Sequence, residues 1–170
     1  MENLAKTHQN LKAAFAGESQ ANRKYLAFAE KADKEGFKQV AKLFRAAADG
    51  ETRHAMNHFN TMHGVKSTAE NLNEAMNGEH YEFTTMYPEF IKTAKKEGDK
   101  DAVETFEEAY AVEKVHHVQY KKALESVKQG KDLPKTEYWV CQHCGNLFVG
   151  TIPEICPVCK HPKKEFKKIE

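Results

Sequence analysis

Two spacings carry the chemistry of this chain. Glu51-x-x-His54 and Glu113-x-x-His116 each set a carboxylate and an imidazole three residues apart, which on a helix is one face. Cys141-x-x-Cys144 and Cys156-x-x-Cys159 each offer a pair of thiolates, and these are all the cysteines of the sequence. Four thiolates suit one tetrahedral ion, zinc or iron. A disulfide framework would be spread along a secreted chain, whereas these four fall within positions 141–159 and read as a metal site. A single Glu-x-x-His is a weak signal, but two at matching places in a repeat are a strong one.

Helices must position the first set. Gly36, Gly64, Gly98 and Gly130 each follow a long helical pattern, which predicts four helices over about 3–35, 37–63, 68–97 and 99–129. Ser67-x-x-Glu70 is a capping box for the third and Asp99 an N-cap for the fourth. The two halves repeat: Gly17-Glu18 leads to Gly36 and Glu51-x-x-His54, Gly78-Glu79 to Gly98 and Glu113-x-x-His116. Steps of three and four then trace inward faces. They run Leu11, Phe15, Glu18, Asn22, Tyr25, Ala29 on the first helix and Val40, Phe44, Ala47, Glu51, His54, His58 on the second. The third gives Leu72, Ala75, Glu79, Glu82, Met86 and the fourth Phe106, Ala109, Glu113, His116, Tyr120, Ala123.

Each apolar stripe is interrupted mid-helix by carboxylates. Unpaired, they would be prohibitive to bury, so a shared cation is the simplest compensation. A Glu from each of two helices with Glu-x-x-His from two more is the general pattern of di-iron and di-manganese bundles. The candidate ligands are Glu18, Glu51, His54, Glu79, Glu82, Glu113 and His116. Glu82 has no carboxylate counterpart, because Ala21 stands in its place in the first repeat. His58 reads as a neighbour of the site or a surface group, and His117, Glu104, Glu107 and Glu108 as exposed. Tyr25 and Tyr87 are candidate hydrogen-bond partners, and Pro88 predicts a kink one turn past Glu82. Gly17, Gly50 and Gly78 fall mid-helix, where each costs roughly 0.8–1 kcal/mol relative to alanine, and close backbone packing is the expected compensation.

Proline divides the chain: only Pro88 precedes position 131, and four prolines follow it. The expected organisation is a helical bundle over 1–130, a linker over 131–135 and a cysteine module over 136–170. About 35 residues cannot fold on apolar burial alone, so the module's metal must supply much of its stability. Tyr138, Trp139, Phe148 and Phe166 are its candidate core, and His143 and His161 flank the knuckles. A structural zinc ribbon and a one-iron redox site are equally compatible with that spacing.

The formal net charge of +1 on 170 residues argues against a nucleic-acid binder held by bulk charge. No apolar run is long enough to cross a membrane, and the start MENLAKTHQN has no signal-peptide pattern, so a cytoplasmic soluble protein is expected.

The stretches AFAGESQANRKY, GEHYEFTTMYPEF and AVEKVHH, the Glu51–His54 segment, the CQHCG and CPVC knuckles and the HPK after them together resemble the rubrerythrins over essentially the whole chain. The resemblance implies a mainly α fold, a ferritin-like four-helix bundle followed by a small rubredoxin-like domain. It implies two non-haem irons on the seven bundle ligands and one iron on Cys141, Cys144, Cys156 and Cys159, with zinc there in some preparations. The implied activity is reduction of hydrogen peroxide to water in oxidative stress defence. Electrons would enter through the rubredoxin-like iron from a redox donor such as rubredoxin or its reductase. The resemblance also implies that His54 and Glu82 exchange as ligands of one iron. Ferroxidase or oxygen reduction, iron storage, and an electron carrier on a scaffold bundle are the competing readings.

Ferritin-like topology usually crosses the length of the bundle between the second and third helices. Here about five residues, 62–66, are available, reaching less than about 20 Å. A helix over 37–63 is about 40 Å long. Either the topology is a simple up-down-up-down bundle or helical hairpins are exchanged between chains, and the expected solution is the second, in a homodimer or higher homo-oligomer. Glu18, Glu51 and His54 of one chain would then complete a site with Glu79, Glu82, Glu113 and His116 of another.

Overall fold

The computed structural model describes the backbone of residues 2–170, with side chains from residue 5 onward. Two compact units divide it, residues 1–66 and 67–170. Among the described residues no helix is long and apolar enough to cross a membrane.

The first unit is a hairpin of α1 (Glu2–Lys34) and α2 (Lys38–Thr61). Alanines make its seam: Ala29, Ala32, Ala41, Ala48 and Ala55 are buried, and side chains this small let two helices lie close together. Asn22 crosses the seam and donates to the Ala48 carbonyl at 2.7 Å and to Thr52 Oγ1 at 2.9 Å. Phe15 stacks on Phe59 with ring centroids 5.0 Å apart. Gly36 makes the left-handed turn between the helices at φ 87°, where a Cβ is disfavoured.

Gly64 behaves differently from the other helix-ending glycines. The left-handed residue after α2 is His63, at φ 55°. Gly64 is there for space, since a Cβ on it would lie 2.2 Å from the Phe59 ring. Mid-helix glycines also depart from expectation. A Cβ added at Gly17, Gly50 or Gly78 meets nothing within 4 Å, so close packing within the chain does not offset their cost.

In the second unit, α3 (Thr68–Tyr81), a π turn (Glu82–Met86) and α4 (Tyr87–Glu97) form one interrupted rod against α5 (Lys100–Lys128). Both predicted caps are present. Ser67 and Glu70 form a reciprocal capping box, and Asp99 accepts from the Ala102 N–H at 3.0 Å. The expected single helix over 68–97 is instead broken by the π turn, just before Pro88.

After α5 the chain turns back. Ser126 Oγ reaches the Lys131 and Asp132 carbonyls at 3.2 and 3.1 Å. A three-stranded antiparallel sheet follows, in the order β2 (Leu147–Val149), β1 (Tyr138–Cys141), β3 (Phe166–Ile169). Its register sets Trp139 opposite Phe148 and Cys141 opposite Phe166. Phe148 and Phe166 pack at 4.6 Å and are buried with Cys141 and Cys156. This small core leaves the knuckles as the main source of order, as the sequence requires.

Candidate metal centres

In the first unit, one ligand atom each from Glu18, Glu51 and His54 lies within 4.8 Å of the others. Glu18 comes from mid-α1 and the pair from mid-α2, one helical turn apart. His54 Nδ1 is 2.9 Å from Glu51 Oε2. The His54 side chain is 60% exposed and that of Glu51 19%.

In the second unit, Glu79, Glu113 and His116 form a matching group, again with ligand atoms within 4.8 Å of one another. His116 Nδ1 is 2.8 Å from Glu113 and 3.7 Å from Glu79. The His116 side chain is 26% exposed, less than half of the His54 value. Burial raises Glu79, and its contact with Glu113 raises it further, to about 8. Burial also works against the Glu113 charge, but hydrogen bonds from His116 and Glu79 hold that carboxyl below its ordinary value. His116 is raised, first by its bond to Glu113. The group thus favours a proton on Glu79 beside the Glu113 carboxylate, a place that a cation would take.

Glu82 stands beside this group but outside the 4.8 Å cluster. Burial, then the Glu113 charge, raise its carboxyl, and Glu79 and His116 pull it the other way. Tyr87 and Tyr120 border the same carboxylates, and burial with the nearby negative charge raises both phenols. Tyr25 instead joins an aromatic cluster, 6.3 Å from each of Phe28 and Phe44. His58 is half-buried.

Two expectations of exposure fail. His117 is half-buried, with Nδ1 2.9 Å from the Met76 carbonyl and its ring 5.4 Å from both His80 and Phe83. Glu108 is 18% exposed at its side chain, with Oε2 3.5 Å from His143 Nε2. Both stand on faces of α5 that the inward trace did not include, and each meets a neighbour distant in sequence. Glu104 and Glu107 are exposed as expected, with Glu107 paired to Lys95 at 2.6 Å.

The four cysteines gather with Cys141 Sγ 3.6 Å from Cys159 Sγ and Cys144 Sγ 3.7 Å from Cys156 Sγ. Thiolates at ~2.3 Å from one tetrahedral ion stand ~3.8 Å apart, so the spacing fits the ion. Burial pushes the Cys144 and Cys159 thiols up in the metal-free fold, while backbone N–H groups of Asn146, Val158, Cys159 and His161 point at the sulfurs and favour thiolate, enough to hold Cys156 below its ordinary value. The carboxylate groups fit as well. Hard oxygens with one imidazole per group suit non-haem iron; ligands at ~2.0–2.2 Å from a shared ion stand at most about 4.4 Å apart, so atoms gathered within 4.8 Å need close in by no more than a few tenths of an ångström.

One contact joins two of these groups inside the second unit. His116 Nε2 lies 3.3 Å from the Gly145 carbonyl, next in sequence to Cys144. With Nε2 donating to that oxygen, Nδ1 is left for a metal.

Two helical carboxylate–histidine groups and a tetrathiolate cluster define a protein able to hold metal on its helices and on its cysteine knuckles. Comparison with known proteins narrows this. The rubrerythrin family matches residues 9–124, and the rubredoxin-like domain of rubrerythrin matches residues 139–167. The chain is 37% identical to the rubrerythrin of Porphyromonas gingivalis, covering 98% of this chain and 91% of that one. It is 34% identical to the rubrerythrin of Nitratidesulfovibrio vulgaris, covering 96% and 94%. Among solved structures it resembles fully reduced, all-ferrous nigerythrin at a TM-score of 0.58 and 34% identity, over 96% of this chain and 86% of that one.

The chain belongs to the rubrerythrin family. Its fold is mainly α, of the ferritin-like four-helix class with a small rubredoxin-like module. Its cofactors are those of the family, a di-iron carboxylate site and one iron on four cysteines. It is an oxidoreductase whose rubredoxin-like module has an electron-transfer role.

Proposed function

We propose that this protein reduces hydrogen peroxide to water at a di-iron centre built from Glu18, Glu51, His54, Glu79, Glu82, Glu113 and His116, and is re-reduced through an iron on Cys141, Cys144, Cys156 and Cys159. The balance is one peroxide, two electrons and two protons to two waters, with the O–O bond broken. Two ferrous ions held by these carboxylates and histidines would supply the two electrons. The chain does the rest. Glu51 and Glu113 hold their histidines at 2.9 and 2.8 Å on the ligand face. The phenols of Tyr87 and Tyr120, whose protons burial and the nearby carboxylates hold more firmly, are donors beside that face.

The observation that carries this reading is the 3.3 Å contact of His116 with the Gly145 carbonyl. It ties a ligand of the carboxylate group to the backbone of a cysteine knuckle, which neither storage nor a scaffold bundle requires. Mixing fully reduced protein with peroxide or with O₂ in a stopped-flow instrument tests it. Oxidation by peroxide should be the faster; rapid oxidation by O₂ with little response to peroxide would sink the reading.

The centre's two halves are proposed to come from two chains. Between α2 and α3 lie residues 62–67, which reach at most about 20 Å, whereas the 24 residues of α2 are about 36 Å long. The first hairpin also leaves Leu43 67%, Phe37 60% and Phe28 47% exposed, an apolar face for a second copy to cover. The division of labour follows the sequence, with iron chemistry in 1–130 and electron entry in 136–170. The electron donor is a separate redox protein of the rubredoxin type.

A further inference from the structure

The two hairpins repeat each other, and the repeat slips by one residue. Leu11, Gly17, Glu18 and Ala21 stand 61 positions before Leu72, Gly78, Glu79 and Glu82. Tyr25, Phe28, Ala32 and Gly36 stand 62 positions before Tyr87, Phe90, Ala94 and Gly98. The extra residue therefore falls between Glu82 and Tyr87, where the chain makes its π turn. That turn closes with the Tyr87 N–H on the Glu82 carbonyl, five residues back. In the first hairpin, α1 runs through the matching place without interruption. Pro88 favours the wide turn, because its ring would clash with the Thr84 carbonyl in a plain helix. Leu26 stands in its place in the first repeat.

An extra residue in a plain α-helix would turn everything after it by about 100°. The π turn absorbs that rotation, and the rings show it. Phe28 lies 5.6 Å from Phe44, and Phe90 lies 5.6 Å from Phe106. Tyr25 lies 6.3 Å from Phe44, and Tyr87 lies 6.2 Å from Phe106. What changes is the residue just upstream. Ala21 has Tyr25 four positions on, directly over it on the same face. Glu82 has Tyr87 five positions on, across the widened turn. A glutamate under Tyr25 would run into that ring, whereas one under Tyr87 has an extra residue's worth of room.

We propose that the inserted residue and Glu82 are one device: the π turn opens the space that an additional carboxylate needs beside Glu79, Glu113 and His116, and so gives the second hairpin a metal-facing group that the first cannot hold. The use of that carboxylate rests on the di-iron reading; the room for it does not.

The test is a double-mutant cycle in the full-length, metal-free chain carrying Pro88→Leu, the first repeat's residue, so that the proline's own clash with a plain helix is absent from both backgrounds. Deleting Thr85 should leave helix content unchanged and lower Tm by about 2–4 °C. In a Glu82→Ala background the same deletion should lose less than half as much. Equal losses in both backgrounds would overturn the proposal. Should the deletion fail to fold, the first hairpin gives the converse. Ala21→Glu should lower Tm, and an alanine inserted between Asn22 and Arg23 should recover at least half of the loss; no recovery would overturn the proposal.

Cobalt(II) then reads coordination. The deletion protein should show the visible bands of Glu82→Gln, and bands like the unmodified protein's would overturn the metal-facing role. An unmodified chain that binds no cobalt outside the cysteines would refute the di-iron reading instead, leaving the coupling of turn and carboxylate standing.

Discussion

The two helical hairpins carry the same ligands at nearly the same spacing, yet they are not equal sites. His54 is 60% exposed and His116 26%. Among the described residues, only the second hairpin has a third acidic group at hand, tyrosines bordering the carboxylates, and a backbone oxygen on its histidine. Equal spacing fixes which atoms can meet an ion; what packs around them fixes how tightly protons and ions are held. The second hairpin is more buried and braced, the first more open.

The largest expected effect isolates the electron route from both hairpins. Cys156→Ser should remove the cysteine iron, unfold the module and drop steady-state peroxide turnover to background, while bundle iron by metal analysis stays unchanged. Turnover that persists with a rubredoxin-type donor would break the relay.

Next in size is a complementation that asks whether the hairpins serve one site across two chains. Glu51→Ala and Glu113→Ala should each be inactive alone. Refolded together, exchanged hairpins put both lesions in one site and leave the other intact. Random pairing of two chains then restores about a quarter of wild-type activity. A mixture as inactive as its parents would reject the exchange.

A smaller effect sharpens the asymmetry. His116→Asn should slow re-reduction of the bundle by the cysteine iron, read by single-turnover stopped flow, more than His54→Asn does, because only His116 meets the Gly145 carbonyl. Equal slowing would remove that contact from the route.

The smallest concerns protons. Glu79 is raised to about 8 in the metal-free fold, so the native state binds a proton that the unfolded chain has released above the ordinary carboxyl range. Its contribution to metal-free stability is therefore full at pH 4 and is lost as pH rises toward 8. Adding ferrous or cobaltous ion at pH 7 should release that proton, and an indicator titration should find less released from Glu79→Gln.

Much of this was legible in the sequence. Ser67 with Glu70 and Asp99 marked helix starts because their side chains satisfy free N–H groups locally. The cysteine spacing gave the knuckles for the same reason, since two thiols three residues apart meet one ion without help from distant sequence. The π turn was not seen, although the slip between repeats was there to be counted. A helical wheel drawn with a uniform step hides one added residue. His117 and Glu108 were misread as exposed because what covers them, the Met76 carbonyl and His143, belongs to other elements. Gly64 was assigned the left-handed turn that His63 makes, because a Cβ meeting a ring five residues back leaves no periodic trace.

The turn after α5, pinned by Ser126, has a kinetic consequence. A reductant joined to its acceptor by a few residues is present at an effective concentration on the order of millimolar, however dilute the protein. Delivery within the molecule is then first order and unaffected by scarcity, and only refilling of the cysteine iron depends on encounter with a partner. Joining the two modules in one chain thus moves the concentration-dependent step away from the helical carboxylate groups and onto the small cysteine module.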